Sequence, residues 1–333
     1  MLNELIQNAW RHKNALYYLV LVPLSWLFSA IIYIRKSVYQ FGILKSYGMP
    51  VPVIVVGNIT VGGNGKTPVV MWLVEQLRNH GYTPGVISRG YGGSEKSPTS
   101  VNANSNPSLV GDEPVLIASR SACPVWVGAN RSHVATQLLK AQPECNVIIS
   151  DDGLQHYALR RDVEIAVTQA VGHYDKQQLL PAGHLREPLA RLNTVDAIVC
   201  NGEAPNTSQS HAPEFEMQLI GKQFYNLLDN NIKANAANFK RKTIKVMAGI
   251  GKPERFYEHL NKLGLSFASI HFEDHHAFTA QELANIECDA LIMTEKDAVK
   301  CKAFAQAYHW VLPVQADIDK GLMPLILAKL AKR

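Results

Sequence analysis

Residues 51–78 read VPVIVVGNITVGGNGKTPVVMWLVEQLR, and this stretch decides the fold. Val51 to Val56 is apolar and β-branched, the pattern of a strand buried on both faces of a parallel sheet. Glycines then crowd the loop Gly62-Gly63-Asn64-Gly65. Lys66 and Thr67 follow, opening a helix with apolar periodicity over Pro68 to Arg78. A strand, a glycine-rich loop and Gly-Lys-Thr at a helix start make a P-loop. The glycines let backbone N–H groups turn toward a β-phosphate, and the helix N-terminus adds partial positive charge. Lys66 would reach the β- and γ-phosphates and the Thr67 hydroxyl would hold Mg²⁺. Nucleotide contact is expected along Thr60, Val61, Gly62, Gly63, Asn64, Gly65, Lys66 and Thr67. Thr60 departs from G-x-x-x-x-G-K-[ST], which has glycine at that position; Gly62 and Gly63 supply the permissive backbone instead. The reading is a nucleotide-binding protein of the P-loop class.

Short apolar strands alternate with helical patterns on the C-terminal side. Gly85–Ser88, Val125–Val127, Val147–Ile149, Val163–Val167 and Ala197–Val199 read as strands. Glu113–Ser119 and Ser132–Lys140 read as helices, and Ser94–Pro107 as a polar loop. Such alternation implies right-handed βαβ units, hence an α/β fold with a mainly parallel sheet covered by helices on both faces. Composition turns polar around Asn201–Pro213, and a second, smaller α/β series follows. Its strands are Lys245–Ala248, Phe267–His271 and Ala290–Met293, and its helices Glu254–Leu263 and Ala280–Ile286. The expected organisation is an N-terminal segment 1–48, a P-loop domain 49–210 and a C-terminal domain 211–333 that closes over the substrate.

Asp151 and Asp152 end an apolar strand, the edge where open α/β sheets bind ligands. An acid there matches a Walker-B aspartate near Mg²⁺, and two adjacent carboxylates call for a nearby cation. His156 follows closely enough to share the pocket. Asp112, in Gly111-Asp112-Glu113-Pro114, stands at a helix start, where a helix-capping role competes with a catalytic one. Asp274-His275-His276 offers two histidines that point different ways, so one metal site using both is not expected. Gly249-Ile250-Gly251 lacks the third glycine of a dinucleotide fingerprint and reads as turn chemistry.

The formal net charge is +5 over 333 residues. No basic run is dense enough for nucleic acid. The five cysteines are scattered without C-x-x-C spacing, the pattern of free thiols. The stretch 15–34, ALYYLVLVPLSWLFSAIIYI, carries no charge and is long enough for a bilayer core. Arg11 and Lys13 precede it, Arg35 and Lys36 follow it, and Pro23 interrupts it. Tyr17, Tyr18, Trp26 and Tyr33 add interfacial aromatics. Membrane attachment is the favoured reading; spanning, interfacial and buried-helix arrangements all remain open.

Eight motifs run in order from Val55 to Cys301: VVGNITVGGNGKTP, ISRGYGG, GDEPVLIA, SDDGLQHYALRRDVEI, LPAGHLREPLARL, AGIGKPERF, DHHAFT and LIMTEKDAVKC. Together they resemble the tetraacyldisaccharide 4′-kinases, the lipid A kinases of Gram-negative bacteria. The resemblance implies transfer of the ATP γ-phosphate to the 4′-hydroxyl of a tetraacylated glucosamine disaccharide 1-phosphate, at the cytoplasmic face of the inner membrane. It places the catalytic aspartate on Asp112 and its partner on His275 rather than His276. By the same resemblance Lys66 and Asp152 are catalytic, and Asp151, Asp152, Arg186 and Glu187 surround Mg²⁺–ATP, with Thr67, Asp151 and Glu187 as metal ligands. Arg89, Arg131 and His156 are candidates for substrate contact. Thr294-Glu295-Lys296-Asp297 loosely resembles the base-reading motif of GTPases. Expected partners are the lipid substrate and a membrane surface, with no nucleic acid and a monomeric chain. Since Asp112 and His275 fall on opposite sides of the expected domain boundary, their meeting is expected to require closure. Two rival readings are a membrane-bound nucleotide switch and a structural protein with a vestigial loop; intact Lys66, Thr67 and Asp151 oppose the second.

Overall fold

The structure is a computed structural model that describes Ile6, Ala9, Trp10 and residues 12–169, 178–202 and 211–333. Arg11 and most of the polar linker 201–213 lie outside the described residues. The strands in chain order are β1 (Val53–Gly57), β2 (Pro84–Ser88), β3 (Thr99–Val101), β4 (Val125–Val127), β5 (Val147–Asp151), β6 (Val163–Gln169), β7 (Ala197–Asn201) and β8 (Glu214–Ile220). They continue with β9 (Phe224–Asn226), β10 (Lys233–Ala234), β11 (Ile244–Ala248), β12 (Ala268–His271), β13 (Ala290–Thr294), β14 (His309–Leu312) and β15 (Gln315–Ile318). The helices used below are α1 (Val22–Gln40), α2 (Lys66–Asn79), α3 (Asp112–Ser121), α4 (Arg131–Ala141), α5 (Pro253–Lys262), α6 (Ala280–Ala284) and α7 (Glu295–Cys301).

By contacts the chain forms two compact units, each discontinuous. One comprises Met1–Lys66, Asn146–Gln218 and Ile318–Arg333; the other comprises Thr67–Cys145 and Leu219–Asp317. The grouping therefore crosses the division expected near residue 210, because α3 packs with α7 across a long sequence separation.

In the first unit β1 lies between β5 and β6, all parallel, and β7 and β8 extend the sheet in parallel beyond β6. Every residue of β1 and β5 is buried, as the continuous apolar runs require. In the second unit β2 pairs in parallel with β4, and β3 pairs antiparallel with β4. A separate six-stranded sheet has the order β10-β9-β14-β13-β11-β12. Its members β12, β11, β13 and β14 are parallel, while β9 and β10 are antiparallel additions. One core, containing Phe224, Phe239, Val246, Leu260 and Ile292, includes the buried face of α5. A second contains Met247, Leu283, Met293 and Cys301 and includes buried residues of α6 and α7. The five cysteines are free, four of them buried.

The N-terminal helix runs from Tyr17 to Gln40 and is long and apolar enough to cross a membrane. Its first turn is a π-helix, Tyr17–Leu21, and Pro23 sits at the start of α1. The wider turn takes up the disruption that a proline lacking an N–H imposes. Tyr17, Leu21 and Ser25, spaced by four, are buried. Tyr17 and Leu21 pack with Ala9 and Ala182, and the Ser25 hydroxyl donates to the Leu179 carbonyl at 2.9 Å. Other faces stay open: Leu19 is 76 % exposed, Trp26 68 % and Tyr33 73 %.

Candidate active site

The P-loop is built by strand register. Val56 of β1 pairs with Asp151 of β5, so the aspartates at the end of β5 stand beside the exit of β1 into the loop. Gly65 has φ +91°, and a Cβ there would meet the Asn201 side chain at 2.9 Å and Met217 at 3.0 Å. Conformation and close approach both exclude a larger residue. Thr60 has its own use: its hydroxyl accepts from Asn64 Nδ2 at 2.7 Å, and both residues are buried. The loop is held from outside as well. Asn201 Nδ2 donates to the Asn64 carbonyl at 3.1 Å, and Gln169 Nε2 donates to Asn64 Oδ1 at 3.3 Å. Val61 N donates to the His184 carbonyl at 2.8 Å, and Arg186 N to the Ile59 carbonyl at 2.7 Å. The segment LPAGHLRE is thereby laced to the loop.

Lys66 Nζ lies 3.3 Å from Asp152 Oδ1, and Arg186 Nη1 lies 3.0 Å from Asp152 Oδ2. Asp152 thus gathers two cations. Its φ of +48° is unusual for a residue with a side chain, a strain that the surrounding structure must maintain. Asp151 is fully buried and Thr67 is 4 % exposed at the start of α2. No group of three or more His, Cys, Asp or Glu residues suited to a metal occurs among the described residues. The Thr67 hydroxyl and the Asp151 carboxylate are oxygen donors of the kind Mg²⁺ takes, its shell being completed by phosphate oxygens and water.

Glu187, one of the expected metal ligands, is held on both oxygens by neighbouring side chains. Its Oε1 accepts from Gln155 Nε2 at 2.9 Å, its Oε2 accepts from Tyr157 at 2.8 Å, and Arg191 Nε lies 3.3 Å from Oε2. With 2 % exposure, both oxygens are engaged within the protein, so the carboxylate braces the segment that carries Arg186. Burial and the neighbouring Glu187 charge push the Tyr157 phenol well above its ordinary value, leaving it a donor.

The second group of residues forms within the other unit. Asp112 Oδ2 and His275 Nδ1 are 3.0 Å apart. Because Thr67–Cys145 and Leu219–Asp317 belong to one compact unit, the pair is already made, and the closure expected to bring it together is not required. Gly111 is the residue before α3, with φ +91°, and its added Cβ would strike the Tyr91 carbonyl at 2.7 Å. Asp112 itself is the first helical residue and accepts from Glu113 N at 2.8 Å. A carboxylate is favoured there by the helix dipole. Burial raises the Asp112 pKa, but the hydrogen bond from His275 and the charge of Lys296 outweigh it and bring it below the usual range. The hydrogen bond to Asp112 raises the His275 pKa against the opposing effect of burial. His275 has φ +61° and faces the Tyr91 ring, with centroids 5.2 Å apart. His276 instead meets Glu282 at 3.1 Å and packs on Phe272 and Phe278.

Tyr91 also lines a cavity of about 290 Å³ with Arg89, Gly92 and Lys96. Arg89 is exposed at the end of β2, whereas Arg131 is buried at the first position of α4, and His156 is half-buried after β5. Thr294–Asp297 caps and opens α7; Thr294 Oγ1 accepts from Asp297 N. Sequence reading missed Gln155, Tyr157, Gln169, Arg191 and Asn201. For Gln169 and Asn201 the signal was present: each ends a parallel strand, β6 or β7, at the edge where ligands bind.

A parallel sheet with this loop between β1 and α2, and an acid at the end of the adjacent strand, defines a nucleotide-binding protein of the P-loop class. The family model for tetraacyldisaccharide-1-P 4′-kinase matches residues 17–331. The tetraacyldisaccharide 4′-kinase of Methylobacillus flagellatus is 46 % identical over 94 % of this chain and 92 % of its own. That of Dechloromonas aromatica is 45 % identical over 100 % and 99 %. The crystal structure of "apo" form LpxK from Aquifex aeolicus in complex with ATP aligns with a TM-score of 0.79 at 29 % identity, covering 93 % of this chain and 98 % of that one. The chain belongs to the tetraacyldisaccharide-1-P 4′-kinase family.

Proposed function

We propose that this protein transfers the γ-phosphate of ATP to the 4′-hydroxyl of tetraacyldisaccharide 1-phosphate, giving the bisphosphorylated lipid IVA. The observation that carries the reading is a preformed Asp112–His275 pair in a chain that also holds an intact P-loop. Phosphoryl transfer needs positioning, charge neutralisation and a group to accept the hydroxyl proton. Lys66 and Arg186 supply positive charge beside the phosphates. Asp112 and His275 form a unit able to orient and deprotonate an alcohol. Mg²⁺, when bound, neutralises phosphate charge; Thr67 and Asp151 are the residues that would hold it, with Asp152 keeping Lys66 and Arg186 in place. Arg89 and Lys96 give the cavity beside Tyr91 a cationic lining suited to an anionic sugar head group.

The test supplies the full-length protein in detergent with γ-labelled ATP or GTP and the tetraacylated disaccharide 1-phosphate. Label is expected to appear in a lipid product from ATP. A slow release of inorganic phosphate from GTP with no labelled lipid would identify a nucleotide switch instead.

The helix Tyr17–Gln40 supports attachment to the cytoplasmic face of the inner membrane. One face is docked on the segment 179–182, and the exposed faces carry Leu19, Trp26 and Tyr33. A helix so docked suits the interface, its apolar side entering the boundary between head groups and acyl chains. Leu19→Asp combined with Trp26→Asp leaves Tyr17, Leu21 and Ser25 in place. This variant is expected to remain in the supernatant when sedimented with anionic vesicles and to raise KM for the lipid more than KM for ATP. Undiminished vesicle binding by the folded variant would assign attachment to another surface.

A further inference from the structure

Thr294-Glu295-Lys296-Asp297, which resembles a base-reading motif in sequence, makes contacts of another kind. Asp297 is fully buried. Its Oδ2 accepts from Gly249 N at 3.2 Å and from Thr294 Oγ1 at 2.7 Å, while Lys300 Nζ lies 3.0 Å from Oδ1. The Gly249 carbonyl in turn accepts from His275 N at 3.3 Å. One end of the motif therefore grips the backbone turn that carries His275. The other end grips α3: Lys296 pairs with Glu113, the residue after Asp112, and Glu295 pairs with Arg120 at the far end of the same helix. Glu295 Oε2 also accepts from Val314 N at 3.2 Å.

We infer that Thr294–Asp297 is a clamp that positions the Asp112–His275 pair, with Lys296 as the positioning residue that sets the field in which the pair works. The inference rests on the proposed kinase reading and adds a role for a motif that reading leaves unused. α7, about two turns long, is anchored at both members of the dyad through α3 and the Gly249 turn. It converts two segments 163 residues apart into a fixed geometry. The ionisable groups that act on the pair are Lys296 and Lys300 on α7 and Asp274 on the histidine loop, with Tyr91 packed beside His275 and Glu113 on α3 paired with Lys296. Lys296 is the cation whose charge acts on both Asp112 and His275. Removing it raises the proton affinity of each, so the acid limb of catalysis moves the same way whichever group takes the proton. The two titrate as a coupled pair.

The test compares Lys296→Met, Lys296→Arg and Glu113→Gln in the full-length protein, with pH profiles of kcat and with NMR titration of ¹⁵N-labelled histidine, His275 being assigned from a His275→Gln spectrum. Lys296→Met is expected to move the acid limb and the His275 titration up by about one pH unit, the scale of a single nearby charge in a protein interior. It should lower kcat about tenfold, a part of what general acid–base chemistry contributes, with KM for ATP within about twofold. Lys296→Arg should restore most of both. Glu113→Gln removes an anion beside Asp112 and leaves Lys296 uncompensated, so it should move the limb down. A shared sign for Lys296→Met and Glu113→Gln, or an unmoved His275 titration in both, would overturn the clamp. If Lys296→Met fails to fold, the downward shift in Glu113→Gln decides alone. Absence of kinase activity in the wild type would defeat the functional reading, while the histidine titration would still report on the clamp.

Discussion

Lys66→Ala is expected to lower kcat by at least roughly 10²–10³-fold, the loss typical of removing one preorganised electrostatic stabiliser. The Lys66 side chain is 10 % exposed and its Nζ lies 3.3 Å from Asp152. It is therefore already placed and partly desolvated, so little reorganisation is needed when negative charge develops on the transferring phosphoryl group. Thr67→Ala should produce a loss of similar size for another reason: it deletes a hydroxyl donor suited to Mg²⁺ and leaves Lys66 intact. Lys66→Ala leaves the buried residues of α2 untouched, and Thr67→Ala removes only a hydroxyl and a methyl from its first turn, with Val69, Val70, Leu73, Val74 and Leu77 still packed. Circular dichroism and thermal unfolding should stay near wild type. Near-normal turnover by a folded Lys66→Ala protein would end the P-loop account.

Asp112→Ala and His275→Ala should each reduce kcat by about 10²–10⁴-fold, the range of general acid–base contributions, with little change in KM for ATP. Their double variant should be scarcely worse than either single one, because residues that act as a unit lose the whole effect when one is removed. The 3.0 Å contact and the opposed shifts, Asp112 downward and His275 upward, describe such a unit. His276→Ala should cost much less catalysis, since that ring is engaged by Glu282, Phe272 and Phe278. Additive losses from Asp112 and His275, or a larger loss at His276, would reassign the pair.

The strand–loop–helix at 51–78 was legible because a parallel strand buried on both faces leaves an uninterrupted β-branched run. The glycines and Lys66 then mark the turn. Thr60 looked like a departure until its hydroxyl was seen holding Asn64. Short and antiparallel pieces were less legible. Thr99–Val101 forms an edge strand inside a stretch read as loop, since three residues carry no periodicity. β8, EFEMQLI, alternates charge with apolar residues although it extends a parallel sheet. The grouping of Thr67–Cys145 with Leu219–Asp317 was hidden because it depends on pairs such as Glu113–Lys296, whose partners no local pattern connects. Glu187 shows another limit: its type suits a metal, and only the fold shows that Gln155 and Tyr157 each donate to one of its oxygens.

The measurement that tests the central claim most directly is the regiochemistry of the product. After reaction of the full-length protein with ATP, Mg²⁺ and the tetraacylated disaccharide 1-phosphate, the lipid is purified and a ³¹P–¹H correlation spectrum recorded. The account predicts one new phosphomonoester coupled to H-4′, beside the retained 1-phosphate, with its loss in Lys66→Ala and Asp112→Ala. A phosphate coupled to another ring proton, or ATP consumed to inorganic phosphate with the lipid unchanged, would contradict it.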